Sequence, residues 1–156
     1  MKKFLFLCCL LAAVACTKES VESGSEQARV IGVPTSDFAM KGTLSVQFSP
    51  EMAQTVAAAQ ARTASTRSGA PATRSGVSEI DALLDEIGAE CFERIVAYDP
   101  EWESVYDRTG MNRWYWIAFD EEADLSAVGS RFAALPGVSV VEYEIHPRHI
   151  RPQHVG

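Results

Sequence analysis

The sequence predicts an α+β fold with the element order β-α-β-β-α-β, and three observations predict it. Residues 78–88 and 124–135 carry apolar side chains at helical spacing. Residues 43–49, 90–98, 113–120 and 138–145 are alternating, β-branched or aromatic, as strands are. Gly, Pro and short polar runs separate these stretches.

Taken in order, "TLSVQFS" (Thr43 to Ser49) puts Leu44, Val46 and Phe48 on one face of a half-buried strand. "EMAQTVAAAQA" adds a short helix. "VSEIDALLDEIG" places Ile80, Leu83, Leu84 and Ile87 at i, i+3, i+4 and i+7, an amphipathic helix. Ser78 with Asp81 three residues on makes a capping-box-like start, and Gly88 a stop. "ECFERIVAY" is a second strand, "DPEWESVYDRTGMN" a loop, and "RWYWIAFD" the strongest strand signal in the chain. "ADLSAVGSRFAAL" repeats the helical spacing at Leu125, Val128 and Phe132, with Asp124 as N-cap. "PG" turns the chain into the last strand, "VSVVEYEI".

Two split βαβ units on one sheet make a ferredoxin-like sandwich, four antiparallel strands with both helices on one face. Alternation assigns Leu44, Val46, Phe48, Tyr115, Ile117 and Phe119 to the helix side. Trp114, Trp116 and Ala118 then point to the other side, into solvent. An uncovered sheet face with two tryptophans is either a partner surface, the favoured reading, or a misassignment of the faces, since buried Trp is common and a loop could cover it.

The flanks are of a different character. Met1-Lys2-Lys3 and "FLFLCCLLAAVA" form a charged segment and a short apolar one, a signal peptide over residues 1–15. Ala13-Val14-Ala15-Cys16 resembles a bacterial lipobox, with Cys16 offering the thiol for a lipid anchor and Ala in place of the usual Leu. The expectation is an exported, membrane-anchored lipoprotein of the bacterial cell envelope. Residues 16–40 read as a polar tether, residues 61–76 ("ARTASTRSGAPATRSG") as a flexible loop, and residues 146–156 as an extended tail punctuated by Pro147 and Pro152.

Once Cys8, Cys9 and Cys16 are set aside, Cys91 stands alone in the folded body, so no internal disulfide forms there. It reads as a small buried hydrophobe. Without Lys2 and Lys3 the formal charge goes from −7 to −9. Residues 77–127 hold fourteen acids against Arg94, Arg108 and Arg113. Such a surface repels phosphate backbones, which argues against a nucleic-acid partner. His146-x-x-His149 and His154 make no metal site, because Pro147 breaks helical spacing and no Cys or carboxylate cluster completes one. No cofactor is implied.

The strand "GTLSVQFS", then "IDALLDEIGAECFERIV", "RWYWIAFD" and "FAALPGVSVVEYE", resemble the N-terminal prodomain of subtilisin-like serine proteases, in its fervidolysin-like form. The resemblance spans roughly Lys41 to Ile145. The chain carries no Asp-[Ser/Thr]-Gly, Gly-His-Gly-Thr or Gly-Thr-Ser-Met motif, so no catalytic triad is expected and the chain is not itself an enzyme. It reads as a truncated or isolated prodomain, the non-catalytic N-terminal part of a serine protease, or as a stand-alone relative.

The resemblance implies an intramolecular chaperone and temporary inhibitor whose open sheet face, with Trp114 and Trp116, packs on surface helices of the protease. It implies that Asp99, Glu101, Glu103 and Asp107 cap the N-termini of those helices. It implies that the tail, His146, Pro147, Arg148, His149, Ile150 and Arg151, lies as an added strand in the substrate cleft. The competing reading is a cell-envelope lipoprotein with a stand-alone protein- or peptide-binding domain. A small enzyme is a third, for which no nucleophile–base pair or phosphate-cradling loop is evident.

Overall fold

Alternation in two short stretches decides the centre of the molecule. In the computed structural model, which describes residues 27–64 and 72–146, Leu44, Val46, Phe48, Tyr115 and Ile117 are all fully buried. The strands are β1 (Arg29–Ile31), β2 (Thr43–Phe48), β3 (Cys91–Arg94), β4 (Trp114–Ala118) and β5 (Val138–Glu142). The helices are α1 (Pro50–Ala64), α2 (Ser78–Glu86), α3 (Glu103–Thr109) and α4 (Leu125–Ala133).

The fold is α+β, but the sheet differs from the expected four antiparallel strands. It is a five-stranded mixed sheet in the order β1-β5-β2-β4-β3. The pairs β5·β2, β2·β4 and β4·β3 are antiparallel, and β1 joins the β5 edge in parallel, Val30 opposite Val141. β1 falls inside the span read as a polar tether. Three residues are too few to display alternation, and their pairing comes from a strand more than a hundred residues away.

The helix count also differs. The buried positions of α1 (Ala53, Val56), α2 (Ile80, Leu83, Leu84) and α4 (Leu125, Val128, Phe132) join one core with the inward side chains of the sheet. Three helices, not two, therefore contribute to the core on the helix side. α1 starts on Pro50, whose fixed φ suits a first turn, and Ser49 Oγ accepts the Met52 N–H at 3.2 Å. It runs on to Ala64, so the first four residues of the expected loop 61–76 are helical. Residues 65–71 of that loop lie outside the described residues. Ser75, also in it, is fully buried.

The start of α2 corrects a second expectation. Val77, not Ser78, is the N-cap residue, and no side chain caps it. Asp81 instead reaches back to Ser75 N and Oγ at 2.7 and 2.8 Å, and to Gly76 N. The acid three residues into the helix thus closes the preceding turn. The other expected signals hold: Asp124 Oδ1 accepts from Ser126 N and Ala127 N at 2.9 and 3.1 Å, and Gly88 follows α2 with φ +64°.

α3 occupies what reads as a loop. None of its residues is buried, so no apolar stripe announces it. Asp99 starts it locally, its carbonyl accepting from Trp102 N and Glu103 N. At the centre of the core, the Phe92 and Tyr115 rings stack at 4.8 Å, and Phe48 meets Tyr115 edge-on at 5.3 Å. Such pairs add about 0.5–1.5 kcal/mol each beyond their burial.

Candidate protein-interaction face

The side of the sheet opposite the core is set by the same alternation and by register. Trp114 lies in a row with Gln47 and Val140, and Trp116 in a row with Ser45, Glu142 and Glu93. Both tryptophans point away from the helices, as expected. They are half-buried, however, rather than bare to solvent. Ser45, next to Trp116 on β2, and Val140, beyond Gln47 in the row of Trp114, are buried on this same face. Cys91 sits on this face beside Ala118, half-buried rather than buried. Partial burial, and next the Glu93 carboxylate, push its thiol up, so it stays protonated and unreactive at neutral pH.

Beside Trp116 the surface is concave. Met40, Glu93, Arg94, Ile95, Trp116 and Glu144 line a groove of about 480 Å³. Trp116, Met40 and Ile95 are its apolar lining, Glu93 and Glu144 its acidic lining, and Arg94 its one basic residue. The Ser45 hydroxyl donates to Glu144 Oε1, which holds that carboxylate over the sheet. Met40 is held by its backbone, its N–H donating to Glu144 O at 2.8 Å. Glu93, Ile95, Met40 and Glu144 were not among the residues expected to form the surface. Glu93 alone had a signal, the outward position in "CFER". Met40 and Glu144 meet only through the irregular extension of the β2·β5 ladder, in which Ala39 bridges Ile145.

The four acids expected to meet a partner are not equivalent in the fold. Arg94 Nη2 contacts both Glu103 oxygens at 3.3 Å, and the pair is largely shielded from solvent. Asn112 Nδ2 reaches Asp107 Oδ1 at 3.3 Å, and Asp99 Oδ1 accepts the Glu101 N–H at 2.9 Å. Glu103 and Asp99 thus serve the domain's own α3. Glu101 and Asp107 are exposed, as are the neighbouring Tyr98 and Trp102.

Comparisons with protein families, with curated proteins and with solved structures return no match.

The last strand leads out of the domain. His146 N donates to Phe38 O at 2.8 Å, so the first residue of the expected tail is still paired with the domain. Pro147, Arg148, His149, Ile150 and Arg151 lie outside the described residues, as do the signal segment and Cys16. Among the described residues no helix is long and apolar enough to cross a membrane, and no cluster of three or more His, Cys, Asp or Glu side chains is arranged for a metal ion.

Proposed function

We propose that this chain is a prodomain-like module that folds onto and temporarily inhibits a subtilisin-like serine protease. The observation that carries the reading is the partly exposed sheet face opposite the helices. Two half-buried tryptophans on adjacent register rows, with a groove lined by Met40, Ile95 and Trp116 alongside, make the kind of apolar surface that meets a protein partner. The order of the inner strands, β5-β2-β4-β3 with antiparallel neighbours, supports the ferredoxin-like reading that the resemblance implies, with β1 an addition at the edge.

The role of each part follows. Trp114 and Trp116 supply the contact area that dominates such interfaces. Of the four acids, Glu101 and Asp107 are the exposed pair and are the ones assigned to the partner's helix N-termini; Glu103 belongs to Arg94. Residues 38–40 pair with 144–146, through the Ala39–Ile145 bridge and the Met40–Glu144 and His146–Phe38 backbone bonds, up to the last residue before the tail. Residues 147–151 are assigned to the protease cleft, where backbone pairing gives affinity. Anchoring through Cys16 would place the module at the cell envelope.

The test is a titration of subtilisin-like proteases with the full chain. Stoichiometric inhibition that is lost on truncation after His146, with the fold retained, supports the proposal. Absence of inhibition by a folded chain across such enzymes refutes it.

A further inference from the structure

The groove beside Trp116 and the residues that follow His146 are complementary in charge. The groove is lined by Glu93 and Glu144 together with Trp116, Met40, Ile95 and Arg94, and the Arg94 guanidinium is already paired with Glu103. Glu142 lies in the same row as Trp116, one strand beyond Ser45. The segment 147–156 carries Arg148 and Arg151 and no Asp or Glu, with Ile150 between the arginines. Glu144 lines the groove only two residues before His146, so the segment begins at the rim of the groove.

We infer that, in the free protein, residues 147–151 fold back onto this groove and cover the sheet face in cis. At about 3.3 Å per residue, residues 147–150 reach about 13 Å beyond His146. Extended backbone puts Arg148 and Ile150 on the same side, the first beside Glu144 and Glu93, the second over Trp116 and Ile95. Pro147 and Pro152 restrict the segment before it docks and so lower the entropy lost on docking. The effective concentration of a segment tethered this closely is high, so weak contacts suffice. A partner for the sheet face has then to displace the segment first. This inference does not rest on the protease reading, and its test uses the chain alone.

The test follows acrylamide quenching of Trp116 in a full chain carrying Trp102→Phe and Trp114→Phe. Truncation after His146 should raise the quenching constant about twofold, the response of an aromatic side chain losing its cover. Glu93→Lys in the full chain should raise it comparably, as should about 1 M salt, where the screening length falls to about 3 Å. A synthetic peptide of residues 147–156 added to the truncated chain should restore protection. Equal quenching of full and truncated chains overturns the inference. So does protection that grows with protein concentration, which marks a second copy as the cover. Should the two-Phe background fail to fold, the same comparison in the chain with its native tryptophans decides.

Discussion

Replacing Gly129 by alanine sets two energies of opposite sign against each other. Gly129 lies inside α4, where Ala is favoured over Gly by about 1 kcal/mol from helix propensity alone. In this fold a Cβ at that position would overlap Tyr143 Oη and stand 2.6 Å from the ring carbons Cε1 and Cζ. Tyr143 is only 4% exposed, so the ring has no free volume to enter. Overpacking of this kind costs typically 1–3 kcal/mol, and contact with a rigid ring belongs at the upper end. The net expectation is a destabilisation of about 2 kcal/mol, roughly a 6–12 °C fall in Tm for a domain of this size.

Urea denaturation followed by tryptophan fluorescence, together with calorimetry, measures this difference. The reasoning also predicts the coupling. With Tyr143→Leu as background the obstruction is gone, and Gly129→Ala should become neutral or stabilising. A Gly129→Ala variant as stable as the parent, or more so, would refute the close approach of α4 to the segment after β5.

Other consequences are equally specific. Glu103→Gln leaves the largely shielded Arg94 guanidinium without a counter-charge and should cost about 1–2 kcal/mol, read by a double-mutant cycle with Arg94→Met. Tyr115 has no hydrogen-bond partner for its buried hydroxyl among the described residues, so Tyr115→Phe should change stability by less than about 1 kcal/mol in chemical denaturation. Burial, and next the nearby charges of Arg94 (lowering) and Glu103 (raising), leave its phenol pushed up to about 12. The neutral form is therefore favoured by folding. That stabilisation is complete below pH about 10, the unfolded value, and is lost as pH rises from about 10 to about 12, which an alkaline unfolding titration with and without Tyr115→Phe will show. Gly42→Ala combines φ +69° with a Cβ only 2.6 Å from Phe119 O and should cost upward of about 2 kcal/mol in the same denaturation assay.

The elements readable from the residues are those whose burial is periodic. β2 alternates apolar and polar residues and β4 is aromatic and β-branched throughout, and the structure buries Leu44, Val46, Phe48, Tyr115 and Ile117 of the two. α4 carries both a stripe and a cap, and Asp124 caps it as its chemistry requires. The unreadable elements lack such a signal. β1 is three residues whose partner is β5, and α3 buries nothing, being held by local bonds from Asp99 and by the Arg94–Glu103 pair. The candidate face divides in the same way. Trp114 and Trp116 follow from alternation within one strand. The Ser45–Glu144 bond joins residues 99 positions apart, and no local pattern encodes it. Asp81 reads as a capping acid, but its partner is Ser75 rather than Ser78, and Ser75 sits in a stretch that reads as featureless loop.

The measurement that bears most directly on the proposed function is inhibition of a subtilisin-like serine protease by the full chain, titrated to equivalence. The account predicts tight binding at one chain per enzyme. It predicts weakening of at least about tenfold, roughly 1.4 kcal/mol, when Trp116→Ala removes a central aromatic contact. Truncation after His146 should abolish inhibition while leaving the domain folded. A folded chain that leaves every such protease fully active, or one whose inhibition is indifferent to both Trp116 and residues 147–156, would contradict it.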